Sequence, residues 1–463
     1  MEAAVEKAPV GEQQPKKKHP PGLYLLFLTE MWERFSYYGM RAILVLYLTT
    51  ELISGGLGFK ESTALQIYGF FTGAVYITPI IGGYLSDRFL GQRLAITIGG
   101  IIMAAGNFVL FAYQSKEVFY LGLALLIVGN GFFKPNISTV VGELYGPNDS
   151  RRDGAFTIFY MGINLGAVFA PLVCGYLAET YFKTTINGVV HYGFRYGFLA
   201  ACIGMIVGQI LFNVLGNRFL GDIGKTPTGK PKKSAEHVAK EKQPLTKKEK
   251  QRTAVILILA CFVIFFWAGF EQAGSSLTLY TKDFIDRTIF GWEVPISWFQ
   301  SLNPFFIIVL APLFSLLWFK LGNSKRGDLK IPTKMAFGLI FLGVGFMVLL
   351  LAVMQTGGSA GEMTSKASML FIVMTYFFHT VGELMLSPVG LSMVSKIAPI
   401  KLASLLMGVW LSSSGVANVV AGQLASTTES LGFFEVFGII GIAVIAAGLL
   451  LLLLSKKLTA MME

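Results

Sequence analysis

Hydrophobic residues in this chain fall into twelve long runs separated by polar breaks. Each run has the length of a helix crossing a hydrocarbon core, which takes about 20 residues at about 1.5 Å each. They cover Leu23 to Thr50, Ala64 to Leu85, Leu94 to Tyr113, Val118 to Val141, Ala155 to Leu177 and Tyr196 to Leu220, then Ala254 to Leu279, Trp298 to Phe319, Met335 to Met354, Met369 to Val394, Leu402 to Ala425 and Phe433 to Leu454. The pattern predicts an all-α membrane protein of twelve transmembrane helices. One break stands apart, the Lys-rich segment Gly221 to Lys250 with Gly224, Pro227, Gly229, Pro231 and Pro244, whose composition reads as a cytoplasmic linker. It divides the chain into a tail over 1–22, a six-helix bundle over 23–220, the linker over 221–251, a second bundle over 252–455 and a tail over 456–463. The loops after the second helix of each half, Leu85 to Arg93 and Leu317 to Lys325, echo one another and support a duplicated six-plus-six architecture.

Helix 1 breaks the apolar pattern. At about 100° per residue, Glu30, Glu33, Arg34, Tyr37, Tyr38 and Arg41 share one face of it. A lone charge at mid-bilayer costs about 2.5 to 3.5 kcal/mol. Four on one helix require partners and a polar cavity, so the rest of the chain is expected to supply both.

Charge and composition then fix the orientation. With 38 Lys and Arg against 27 Asp and Glu the net charge is +11, which by itself suits a nucleic-acid binder. Its distribution has another cause: 28 of the 38 basic residues lie in the tails and the loops after helices 2, 4, 6, 8 and 10, and only seven in the loops on the other side. Cytoplasmic segments are enriched in Lys and Arg, so both termini are expected in the cytoplasm, with no nucleic-acid partner. The first run lacks a small-residue cleavage site and reads as a retained helix in the plasma (inner) membrane. Cys174, Cys202 and Cys261 all lie in apolar runs and imply no disulfide framework. His379 and Glu383, four apart on helix 10, have no further His or Cys cluster to complete a metal site, so neither metal nor cofactor is expected beyond protons. No zincin helix, Ser-His-acid set or cofactor fingerprint points to an enzyme.

The three remaining basic residues, Arg34, Arg41 and Lys134, sit inside helices of the first half, while the second half carries the intramembrane acids Glu271 and Glu383. A cationic half facing an anionic half matches a zwitterion. A short peptide offers a cation, a carboxylate and an amide between them.

Four motifs connect these residues to a family. Gly82 to Arg93, with Asp87, Arg88 and Arg93, resembles the loop signature of the major facilitator superfamily, which implies an inner-gate latch. Glu30-x-x-Glu33-Arg34-Phe35-x-Tyr37-Tyr38-Gly39, Phe159-Tyr160-Met161-Gly162-Ile163-Asn164-Leu165-Gly166 and Phe270-Glu271-Gln272-x-Gly274 resemble signatures of its proton-dependent oligopeptide transporters. The likeness runs from Leu23 to Leu454 and implies a proton-coupled symporter, acting as a monomer in membrane lipid, that imports di- and tripeptides by alternating access. A proton-linked carrier of another small zwitterion, amino acid or drug is the alternative on the same fold. Between the halves stands only the polar linker, where bacterial members commonly add two helices, and helix 2 has no histidine, so carboxylates are expected to carry the proton.

By resemblance, Glu383 faces the peptide amino group, Arg41 and Lys134 its carboxylate, and Asn164 and Asn303 its backbone, with Tyr37, Tyr38, Tyr76, Trp267, Trp410 and Ser414 as walls and small polar contacts. Proton coupling is expected at Glu30, Glu33, Arg34, Lys134 and Glu271, because rearranging the charged partners of a desolvated acid changes its proton affinity. Salt bridges between the halves are expected among Arg41, Glu271, Lys134 and Glu383, and His379 is left open.

Overall fold

A computed structural model of the chain describes residues 18–146, 149, 151–227, 229, 244–325, 327–356 and 365–462. Most of the N-terminal tail and the middle of the linker, residues 230–243, lie outside these. The first half consists of α1 (Pro21–Thr49), α2 (Glu61–Leu85), α3 (Gln92–Ala112), α4 (Lys116–Glu143), α5 (Arg152–Tyr176) and α6 (Phe194–Leu220). One π-helical turn extends α2 over Ser86–Leu90, and another extends α5 over Leu177–Tyr181. The second half begins with α7, which runs as Lys247–Phe270, a 3-10 turn Glu271–Gly274 and Ser276–Phe284. It continues with α8 (Leu302–Gly322), α9 (Ile331–Thr356), α10 (Leu370–Ile397), α11 (Ala403–Ser426) and α12 (Phe433–Met462). Eleven of these spans are apolar enough to cross a membrane by composition alone. The twelfth, α1, is 29 residues long and carries the four charges.

Local chemistry sets the helix starts. Pro21 opens α1 with its φ already helical, Ser115 accepts from the Val118 amide at the start of α4, and a reciprocal Thr246–Glu249 capping box starts α7. Helix α12 continues through the segment from 456 onward to Met462, whose carbonyl accepts from Arg252 Nε at 3.0 Å. The last apolar run carries the helix through Lys456 and Lys457 without a breaker.

Helix pairing repeats between the halves. In the first, α1 packs on α5 and α6, α3 on α4 and α6, and α2 on α4; in the second, α7 packs on α11 and α12, α9 on α10 and α12, and α8 on α10. Each pair recurs six helices later. The principal contacts across the halves, α2 with α11 and α5 with α8, are themselves related by the same exchange.

Those contacts lie toward the ends away from the chain termini. A Cβ on Gly69 would stand 2.6 Å from Gly422 Cα, and one on Gly73 would stand 2.9 Å from the Gly415 carbonyl, so α2 and α11 touch backbone to backbone. Small residues allow such an approach between membrane helices. On the α5–α8 side, Trp298 Nε1 donates to the Leu172 carbonyl (3.0 Å), Ser301 to that of Val168 (2.7 Å), and the Glu179 carboxylate accepts from the amides of Ile296 and Ser297 (2.6 and 3.0 Å). Toward the termini the halves part. A Cβ on Gly408 would meet nothing within 4 Å, and α8 buries only Pro304 and Ile307 along its length.

This asymmetry gives a stability test. Gly69→Val forces a side chain against Gly422 and is expected to cost about 1–3 kcal/mol, as overpacking typically does, whereas Gly408→Ala should stay within about 0.5 kcal/mol of wild type. Thermal unfolding in detergent, with both variants beside the parent protein, reads the difference.

Candidate functional site

The parting of the halves leaves a cavity of about 290 Å³ between them. Its first-half wall carries Tyr38 and Arg41 from α1, Tyr76 from α2, and Tyr160 and Asn164 from α5. Its second-half wall carries Trp267, Phe270 and Glu271 from α7, Gln300 from the 3-10 turn Ile296–Ser301 that precedes α8, Asn303 from the first turn of α8, and Tyr376, His379 and Glu383 from α10. Aromatic walls with a few convergent polar groups are the ordinary make-up of a small-molecule site.

At the closed end Arg41 Nη2 donates to Glu271 Oε2, an ion pair that joins α1 to α7 across the halves. The guanidinium also donates from Nε to Tyr68 Oη at 2.5 Å and lies over the Tyr68 and Tyr38 rings at 5.6 and 6.0 Å. Local sequence permits this crowding. The α-helical part of α7 ends at Phe270, and a Cβ on Gly274 would fall 1.8 Å from Tyr68 Oη, so the glycine of Phe270-Glu271-Gln272-x-Gly274 makes room for the tyrosine that holds the arginine.

Elsewhere on the second-half wall Glu383 Oε2 accepts from Asn303 Nδ2 at 2.8 Å, and the same amide donates to Thr380 Oγ1 at 3.0 Å. Asn164 turns its Nδ2 to the Tyr160 carbonyl one helical turn away, at 2.9 Å. Both asparagines therefore line the cavity with their amides already engaged.

The helix 1 acids form a separate cluster. Glu30, Glu33 and Arg34 are 3%, 0% and 4% exposed. Arg34 Nε is 3.0 Å from Glu30 Oε1 and pairs with Glu33, whose Oε1 accepts from Asn130 Nδ2 on α4 at 3.4 Å. Lys134 Nζ sits 4.3 Å from the centre of the Tyr76 ring. Tyr76 thus stands between Lys134 and the cavity it lines.

Several expected site residues are elsewhere. Lys134 and Glu383 do not pair: among the described residues Lys134 makes no ion pair, and Glu383 is held by Asn303 because the halves stand apart toward the termini. Lys134 itself is absent from the cavity wall. Tyr37 is buried beside Phe71 at a centroid distance of 6.5 Å. Trp410 lies against Gly390, where a Cβ would be 2.3 Å from its ring, and neither it nor Ser414 lines the cavity. Arg93 donates to the Gly221 carbonyl (2.9 Å) and to Asn217 (3.0 Å), Asp87 accepts from Gln92 (3.1 Å), and Arg88 donates to Tyr84 (2.6 Å). Arg93 thus ties the loop after α2 to α6 and its following turn, while Arg88 bonds back to α2 and Asp87 to the start of α3; among the described residues none of these three side chains bonds to the second half. His379, left open by the sequence, is almost fully buried: its ring packs against Phe346 (4.9 Å) and would crowd any Cβ on Gly345, so it reaches the cavity wall from the seam between α10 and α9.

Tyr68, Tyr160, Gln300, Tyr376 and Glu179 were not anticipated. The tyrosines carry no charge that would mark them in an apolar run. Glu179 would have counted as an intramembrane acid had helix 5 been extended past Leu177 to its observed end at Tyr181.

Comparison with known proteins supplies the family. A model of the POT family matches residues 93–231 and 229–440. The chain is 33% identical to the peptide transporter YePEPT of Yersinia enterocolitica, over 89% of this chain and 88% of that protein. It is 31% identical to a di-/tripeptide transporter of Lactococcus lactis subsp. cremoris, over 96% of each. A crystal structure of a mutant peptide transporter POT in complex with alafosfalin superposes with a TM-score of 0.85 at 35% identity, covering 97% of both chains. Helix pairing, motifs and relatives agree: the chain belongs to the POT family, on the major facilitator fold.

Proposed function

We propose that this protein is a proton-coupled symporter that imports di- and tripeptides across the plasma (inner) membrane by alternating access. The observation that carries it is a polar cavity between two pseudo-repeated halves, lined by both the Arg41–Glu271 pair and Glu383. In this reading the bundles 23–220 and 252–455 rock about the α2–α11 and α5–α8 contacts, joined by the cytoplasmic linker 221–251. The Lys and Arg distribution supports cytoplasmic termini, so the open end faces the cytoplasm. The protein works as a monomer.

Residue roles follow from placement. A peptide amino group meets Glu383, which Asn303 orients; its carboxylate competes with Glu271 for Arg41; Tyr38, Tyr76 and Trp267 give apolar walls that accept varied side chains. Releasing Arg41 from Glu271, by a peptide carboxylate or by protonation, removes an ion pair that ties the halves together. Lys134 behind Tyr76, and the Glu30–Glu33–Arg34 cluster behind it, form the proton site, whose acids change proton affinity when their cations move. Trp410, Ser414 and Tyr37 reach the ligand only if the cavity closes around it.

Purified protein in liposomes should take up dialanine when an inward proton gradient is imposed, and faster with an inside-negative potential. Uptake indifferent to both would leave a facilitated carrier. Glu33→Gln and Lys134→Ala should each abolish acid-driven uptake while sparing counterflow, which moves no net proton; wild-type acid-driven uptake in both variants would put the coupling site elsewhere. For the amino end, Glu383→Gln should weaken free dialanine at least about tenfold, the effect of losing about 2 to 5 kcal/mol from a desolvated charge pair. The hydroxy analogue, which lacks the amine, should barely respond. Competition assays of both ligands against both proteins at one pH complete the cycle, and equal losses would remove Glu383 from the amino-group site.

A further inference from the structure

Two β-hairpins stand on the side away from the chain termini, and both turn through the same two-residue geometry. The first pairs β1 (Thr184–Ile186) with β2 (Val189–His191) around Asn187 and Gly188 at φ 51° and 81°. Between α7 and α8 the chain runs through β3 (Ile285–Asp286), and the second hairpin pairs β4 (Thr288–Ile289) with β5 (Trp292–Glu293) around Phe290 and Gly291 at φ 48° and 82°. Positive φ at both central positions favours Asn-Gly, and a bulky residue there is a genuine outlier. The first hairpin obeys the rule and the second breaks it.

Packing does not repay the strain. Phe290 is fully exposed, and Ile289 and Trp292, paired across the strands, are 43% and 40% exposed. An aromatic ring held in an unfavourable turn, with no protein contact to gain, points to something outside the chain.

Depth identifies it. The Trp292 ring lies 5.2 Å from that of Trp298, and Trp298 donates to the Leu172 carbonyl at 3.0 Å. Leu172 sits within α5, about 13 Å of helix rise before the apolar span ends at Tyr181. The hairpin therefore lies back along the flank of the bundle, at the level where helix ends leave the hydrocarbon. At the end of α5 the exposed rings of Tyr176 and Tyr181 meet at 6.2 Å, tilted by 41°, and at the hairpin base Glu293 pairs with Arg287 (2.6 Å) and approaches Lys183 (4.0 Å). An aromatic tip above a charged base is the composition of a membrane–water interface.

We propose that Ile289, Phe290 and Trp292 insert into the interfacial layer of the leaflet opposite the chain termini, so that the hairpin is a lipid anchor for the entry to α8. A fluorescence experiment in vesicles of phosphatidylcholine and phosphatidylglycerol tests it. Cys174 and Cys202 are buried and only Cys261 is exposed, so a Cys261→Ser background accepts an environment-sensitive label at Phe290→Cys, with Asn187→Cys as the aqueous comparison. Ile289→Cys is a second tip position free of the positive φ. Both tip labels should emit to the blue of the 187 label, and lipids carrying a nitroxide near the headgroup should quench them at least about twofold more than iodide does, as expected of an interfacial site. The 187 label should show the reverse. Tip labels quenched by iodide as strongly as the 187 label would overturn the anchor, and tip labels shielded from both quenchers would assign the surface to a protein neighbour instead.

Discussion

An arginine set in a membrane helix must be answered by an acid, and here Arg41 of one half is answered by Glu271 of the other. Removing one member of such a buried pair typically costs about 3–5 kcal/mol, because the survivor is left charged and desolvated. Much of the local architecture reads as provision for this contact. The α-helical part of α7 gives way to a 3-10 turn at Glu271, Gly274 lacks the side chain that would displace Tyr68, and Tyr68 holds the guanidinium in place. A pair so dependent on the meeting of two halves is also sensitive to their separation. That makes it a natural point for chemistry to act on geometry.

The cavity exists because the halves meet at one end only. Backbone contact at Gly69 and Gly422 allows α2 and α11 no looseness there, while α8 beyond Ile307 has few neighbours to hold it. Close packing at the seal and thin packing at the mouth give the two ends different rigidity, as expected where one moves more than the other. The paired helix contacts of the two halves favour, in the proposed cycle, movement of whole bundles over that of single helices.

Much of this was legible in the amino-acid order because bilayers punish charge. Twelve apolar runs predict twelve helices, and Arg41, Glu271 and Glu383 stand out as charges in apolar surroundings; they meet around one cavity with Asn164 and Asn303, which the family resemblance supplies. What escaped was geometry that composition does not encode. Lys134 meets the same charge criterion, and Trp410 and Tyr37 come from the resemblance, but helix rotation and the spread of the halves put all three behind or beside the cavity. Glu179 was missed for a boundary of four residues, since helix 5 was expected to end at Leu177 and runs to Tyr181. The loop from Asp87 to Arg93 is polar enough to suggest a latch, yet hydrogen-bonding partners near in space within its own half take its donors first.

Beside the Arg41–Glu271 pair and the bond from Gln66 to Ser426 (3.4 Å), the closed end has a further property, seen in which atoms make it. Trp298, Ser301 and Gln300 donate to main-chain carbonyls of Leu172, Val168 and Ala42, and Glu179 and Glu429 accept from main-chain amides of Ile296, Ser297 and Ser62. In each bond only one partner is a side chain; the other is a peptide group that every residue except proline offers in full. Substitution on the receiving side leaves such a bond intact, so paired changes between the halves would leave little trace there in diverging sequences. Contacts of this kind can be kept while most of the residues around them drift, and methods that infer contacts from correlated replacement would see the side-chain pair Arg41–Glu271 more readily than the peptide-group bonds that join the halves beside it.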